Sequence, residues 1–246
     1  MSLTVGTGPF GQRPAGSFNF EPPDSVVFAE PFAHRVRAVR GEELLADTRR
    51  AQLLYESGRL PVIYLPEEDV VLDRVANDAV TRHERLPGHV SIAWSFPDAW
   101  FDEDDEMHGH VRDPYHRIDI RASSRRVVVR VEGEHVAETR RPLILFETGL
   151  PPRYYIDPQD VRLELLEPHG LRTRCAYKGI ASHWSVRLGG GERAEAVAWS
   201  YPEPDEDAAR VRGRIAFYNE RVDLEVDGEP DTRPQTQWSA ARWWST

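Results

Sequence analysis

The stretch "CAYKGIASHW", Cys175 to Trp184, holds the single cysteine and the single lysine of this 246-residue chain. Lys178 is one of 31 basic residues, and every other one is an arginine. Solubility is therefore served by guanidinium groups, and the remaining ammonium points to a task that guanidinium cannot perform. Such tasks are deprotonation to a nucleophile or base, Schiff-base formation, or a compact point charge against phosphate or carboxylate. Cys175 supplies either a reactive thiol or a small buried hydrophobe. Tyr155, Tyr177, His183 and Glu138 are candidates to line the same pocket, and Trp184 is a core residue that can double as its wall. In an unbroken strand Lys178 shares parity with Ile180, Trp184, Val186 and Leu188, which buries it and depresses its pKa. If Gly179 is a turn or bulge instead, the register flips and Lys178 sits at the mouth of a sheet.

Other groupings are weaker. In "DEDDEMHGH" the i, i+2 spacing of His108 and His110 would put both rings on one strand face, but the run reads better as a solvated acidic loop, so no metal is assigned. Glu203 and Asp205 lie in a proline-rich loop and read as surface. "GGGE" is a hairpin turn, and no serine nucleophile motif is present. No cofactor is called for.

The elements that must position Lys178 come from an internal repeat. "ADTRRAQLLYESGRLPVIYLPEEDVVLD" from Ala46 matches "AETRRPLILFETGLPPRYYIDPQDVRLE" from Ala137 at an offset of 91. "AWSFPD" from Ala93 then matches "AWSYPE" from Ala198, and "YHRIDI" from Tyr115 matches "NERVDL" from Asn219, at offsets near 105. These alignments give a degenerate first repeat over 25–123 and a second over 124–228, with about a dozen more residues in the second. "RRVVVRVEG" predicts a strand. Thr139 is placed to cap a short helix over "RRPLILFET" that ends at Gly149. "PRYYI", "VRLELL", "IASHWSVRL", "AEAVAWSY" and "GRIAFY" predict further strands, with Val161, Leu163 and Leu165 on one face. The expected class is mainly β with one short helix per unit, as two tandem β-barrel or sandwich-like domains. Opposite "TRCAYKGIASHWSV" the first repeat offers "TRHERLPGHVSI", with His83 against Cys175 and no lysine. A single active site would therefore belong to the second repeat.

Residues 1–24, rich in glycine, proline and phenylalanine, read as an extended arm. Residues 229–246 form a tail in which Trp238, Trp243 and Trp244 are expected to dock on the body or at a subunit contact. The net charge of −10 disfavours nucleic acid and anionic membrane as partners. One cysteine excludes an internal disulfide and a multi-cysteine zinc site. No apolar run is long enough to span a bilayer, and the reading is of a cytoplasmic protein.

The second repeat resembles a known family, the bacterial and fungal domain of unknown function 427. The hallmark of that family is C-P-[WY]-K-G-x-A-x-Y-W followed by A-W-x-Y-P-x-P. Cys175, Tyr177, Lys178, Gly179, Ala181, Trp184, Trp199, Tyr201, Pro202 and Pro204 fit, while Ala176 replaces the proline and His183 the tyrosine. The resemblance implies a small β-rich domain, sometimes in tandem, with no established activity. Its label of predicted nucleotidyltransferase has no support here, because the Gly-Ser with paired aspartates on a strand that metal-dependent nucleotidyl transfer requires is absent: Gly16-Ser17 lies in the arm and the Asp102–Glu106 run reads as a loop. Two readings remain. One is a small-molecule pocket around Lys178, as in an enzyme acting on a small carbonyl or anionic metabolite. The other is a non-catalytic ligand-binding or interaction module.

Overall fold

The computed structural model describes residues 3–240 and Trp243, so Trp244 lies outside the described residues. The chain divides into two units, residues 1–116 and 117–246. Unit 1 contains β1 (Val27–Pro31), β2 (Val36–Arg40), β3 (Glu43–Thr48), β4 (Gln52–Glu56), β5 (Val62–Pro66), β6 (Val80–Thr81), β7 (His89–Ile92), β8 (Ala99–Asp102) and β9 (Asp105–Met107). Unit 2 contains β10 (Ile118–Ala122), β11 (Val127–Val131), β12 (Glu134–Thr139), β13 (Leu143–Glu147), β14 (Arg153–Ile156), β15 (Leu166–Cys175), β16 (Gly179–Arg187), β17 (Arg193–Ser200), β18 (Ile215–Phe217), β19 (Asp223–Val226) and β20 (Glu229–Pro230). No described helix is long and apolar enough to cross a membrane.

Each unit is an antiparallel sandwich and neither is a closed barrel. In unit 1 a sheet ordered β1-β4-β5-β7-β6 faces one ordered β3-β2-β8-β9. In unit 2 the seven-stranded sheet β10-β13-β14-β18-β17-β16-β15 faces β12-β11-β19-β20. Alternation along the strands sends Val127, Val129 and Leu224 from one sheet against Ile144, Ile156, Ala198 and Phe217 from the other, making the core of unit 2.

The helix expected over "RRPLILFET" is strand β13, and the helical residues are short 3-10 turns. Its supposed caps do other work. Thr139 donates to Asp160 at 2.7 Å and accepts from the Arg141 backbone N–H at 3.1 Å, clasping the β12–β13 corner to the turn after β14. Thr48, Asp69 and Arg50 repeat that clasp in unit 1. Gly149, at φ +71°, makes the β13–β14 hairpin turn. "VRLELL" is likewise no strand: Leu163–Leu165 is a 3-10 turn, with Val161 buried and Leu163 exposed.

The strand pairings also correct the second alignment. The offset of 91 holds from β1 against β10 through β5 against β14. Leu65 then pairs with Val90 where Ile156 pairs with Ile215, and Val39 pairs with Ala99 where Arg130 pairs with Asp223. Between those partners lie 24 residues in unit 1 and 58 in unit 2. The addition contains the whole β15–β16 hairpin, which has no counterpart in unit 1. "AWSFPD" forms a turn after β7, whereas "AWSY" runs out of β17, so His83 does not stand opposite Cys175 and Trp94 is not the equivalent of Trp199. Short apolar-polar words recur in any β-rich chain; only pairing separates equivalence from coincidence.

The N-terminal arm folds back rather than extending. Thr4 is fully buried and donates to the Arg59 carbonyl at 2.9 Å, and Ser57 donates to the Phe10 carbonyl at 2.7 Å. In the tail, Trp238 and Trp243 pack on a cluster of unit 2.

Candidate functional site

The seven-stranded sheet of unit 2 has two furnished faces. One makes the sandwich core. The other, the outer face, carries Leu145, Tyr155, Ala181, Trp199, Ala216 and Tyr218, and is covered by Ala208 and Val211 of the 3-10 segment Glu206–Val211. Glu147 and Arg153 share the strand parity of Leu145 and Tyr155 and are also buried there.

Lys178 belongs to this face. Residues 176–178 turn β15 into β16, and Gly179 leaves the turn at φ +88°. A Cβ on Gly179 would lie 3.0 Å from the Asp205 carboxylate oxygen, so the position is closed to side chains twice over. The Asp205 backbone N–H donates to the Lys178 carbonyl at 3.1 Å, and Gly179 bridges to Pro204. The "KG" and "YPEP" motifs are therefore two sides of one joint, and Asp205, expected at the surface, is part of it.

The Lys178 ammonium bonds the Glu147 carboxylate, and their side chains are 10% and 5% exposed. Burial alone would lower the pKa of the amine. The Glu147 charge outweighs it, helped by Cys175 and Tyr155, and the pKa rises above its ordinary value. The turn at Gly179 takes Lys178 out of register with Trp184 and Val186, which face the sandwich core, so the strand-parity expectation fails. The lysine is buried on the opposite face and charged, which also corrects the expectation of a neutral amine.

The neighbouring groups are phenolic. Tyr155 is fully buried; burial pushes its hydroxyl up to about 12 although Lys178 pulls the other way, and Trp199 Nε1 donates to it at 3.1 Å. Burial likewise holds the Tyr201 hydroxyl well above its ordinary range, with Tyr155, Cys175 and Glu147 adding to the effect. Cys175 is half-buried, pairs with Gly179 across the hairpin and acts electrostatically on both Lys178 and Tyr201. Tyr177 is buried in the turn.

Further along the face, Arg153 grips Glu220 with two hydrogen bonds of 2.7 Å. His183 is 2% exposed, and burial, with His169 and Arg172, lowers its pKa to about 4. The other two expected residues lie elsewhere. Trp184 points to the sandwich core and donates to Ser200 at 3.2 Å. Glu138 is on β12 of the four-stranded sheet, paired with Arg126 at 2.7 Å. Glu106 lies 3.3 Å from His108, and His110 Nδ1 lies 2.7 Å from the Val111 carbonyl; among the described residues no group of three or more ligands could hold a metal.

Sequence reasoning passed over Glu147, Tyr201, Arg153 and Glu220. Glu147 has Glu56 as its repeat partner, so comparison of the repeats gives it no mark of its own. In unit 1, however, Glu56 is partly exposed and pairs with Arg59 at 3.1 Å. Val62, 37% exposed, stands in the place of Arg153, Thr81 in that of Trp199, and Ala93 in that of Tyr218. The usable signal is divergence at aligned strand positions.

No curated protein matches the chain. The family model described as domain of unknown function (DUF427) matches residues 28–91 and 119–228, segments that start 91 residues apart within β1 and β10. The chain therefore belongs to the DUF427 family and carries its domain as two tandem copies.

Proposed function

We propose that unit 2 is the working unit and that it binds a small anionic or carbonyl-bearing metabolite at the Cys175–Gly179 turn. Lys178 serves there as a permanently charged ammonium that anchors or polarises the ligand, with the Tyr155 and Tyr201 hydroxyls beside it and Cys175 as the adjacent thiol. The contrast between the units carries this reading. A buried ion pair is a poor source of stability, because desolvation offsets its Coulomb attraction. Unit 1 closes the same frame without the hairpin, the lysine or the buried pair, so the fold does not demand them. A raised pKa disfavours the Schiff-base and general-base roles, both of which need a free amine, and favours a fixed charge or a hydrogen-bond donor.

A second reading, a binding module without catalysis, draws on Glu147, which already satisfies the ammonium. Both are tested by thermal-shift screening of short 2-oxo acids, carboxylic acids and phosphate monoesters against wild type, Lys178→Arg and Lys178→Met. A ligand that stabilises wild type, stabilises the arginine variant in part and leaves the methionine variant unmoved supports the site. Stabilisation that survives Lys178→Met, or no hit in the panel, refutes it. Turnover of any hit separates enzyme from module.

A further inference from the structure

Beyond Trp199 the outer face continues into a second cluster. The Arg153 guanidinium lies 5.6 Å from the Trp199 ring, 5.9 Å from Tyr218 and 5.3 Å from Trp238. His183 stacks parallel to Tyr218, with ring centroids 6.3 Å apart. Its Nε2 is 2.9 Å from the Thr173 hydroxyl, whereas its buried Nδ1 has no hydrogen-bond partner. Close-packed interiors rarely strand a ring nitrogen. One left without a partner beneath aromatic walls calls for a partner from outside the chain.

The cover over this cluster is loosely made. After β20 no described residue joins a strand. Thr236 donates to Glu220 and caps the turn Gln237–Ser239. Trp238 rests on Arg153 and on Tyr218 at 6.3 Å; Trp243 lies 5.5 Å from Tyr218 and 5.8 Å from His183. Two flat heteroaromatic rings thus rest on a cation and on other rings, the contacts a planar ligand would make. Unit 1, with Val62 and Ala93 at the matching positions, has neither the cation nor the ring.

We propose that this cluster is a subsite for a planar heteroaromatic small molecule that hydrogen-bonds His183 Nδ1, and that the C-terminal segment bearing Thr236, Trp238 and Trp243 is a built-in competitor that occupies it until displaced. The inference rests on the outer face being the functional face, but not on the role of Lys178. Benzimidazole is the probe, since its ring carries both a donor and an acceptor and suits either tautomer of His183; indene is the control of like shape without nitrogen.

Hydrogen exchange on the full chain is expected to speed up across residues 231–240 and slow down in β16 when benzimidazole saturates. One hydrogen bond to a buried group corresponds to about a tenfold preference over indene, and His183→Phe should abolish it. Trp238→Ala, which weakens the competitor, should tighten benzimidazole binding by about fivefold or more. Lys178→Met should leave that affinity unchanged, so failure of the lysine site and failure of this subsite read out separately. Unaltered exchange in 231–240 at saturation, equal affinity for indene, or indifference to Trp238→Ala each overturns the proposal.

Discussion

Replacing Lys178 with methionine keeps most of the side-chain volume and removes the charge, so the change isolates electrostatics from packing. What remains is the Glu147 carboxylate, 5% exposed, with its ammonium partner gone. Breaking a buried pair from one side costs about 3–5 kcal/mol, and unit charges 4 Å apart at an effective dielectric of 20 give about 4 kcal/mol, so the two routes agree. Adding Glu147→Leu removes the carboxylate that has lost its ammonium, and a buried pair exchanged for apolar groups is neutral or stabilising by about 1–4 kcal/mol. The double variant should therefore recover at least about 3 kcal/mol over Lys178→Met. Urea unfolding followed by circular dichroism measures the totals, and hydrogen exchange in β13 and β16 assigns the loss to unit 2. A single substitution that costs less than about 1 kcal/mol would mean that water reaches the pair. A double variant no better than the single would remove the Glu147 carboxylate as the cause. Either result refutes the argument.

Three more outcomes are expected. Lys178 should resist amine-reactive reagents in the folded chain up to pH 10 and react once unfolded, as read by peptide mass spectrometry; a midpoint below the ordinary lysine value would contradict the Glu147 pairing. Because His183 is lowered to about 4 in the fold and titrates near 6.5 when unfolded, the unfolded chain binds the extra proton between those values. Stability should thus fall as pH drops from 6.5 towards 4, by about 3 kcal/mol in all; His183→Phe should flatten that part of the curve, and an unchanged slope would exclude His183 as its origin. Gly179→Ala should lose about 1–3 kcal/mol, since it meets both a positive φ and Asp205, whereas Gly133→Ala, with positive φ but open space, should lose less; equal losses in thermal melts would deny the close approach.

The sequence made the mainly β class, the offset of 91 and the strands around the "KG" turn readable, because alternation and turn glycines are local signals. Distant pairing was not readable. "RRPLILFET" carries a threonine before it and a glycine after it, which mark a helix or a hairpin equally; the tie from Thr139 to Asp160 decides, and it spans 21 residues. Lys178 is buried on the face opposite Trp184 and Val186, because the turn at Gly179 breaks strand parity. Its charge depended on Glu147, 31 residues earlier. Trp184 and His183 are neighbours in the chain and point to opposite faces, which a motif written as a line of letters cannot express.

The hairpin β15–β16 lies at one margin of its sheet, and in unit 1 the sheet ends at β6, the counterpart of the end of β17. A hairpin at a margin pairs with only one other strand, β17, so its removal leaves the remaining strand pairings as they were. Shortening the chain between Val161 and Arg193 should therefore return unit 2 to the plan of unit 1, folded but without Lys178. In a lineage, such a site can be gained or discarded by one insertion or deletion without passing through an unfolded ancestor. A duplicated chain then holds both states side by side, one copy fitted out and one bare.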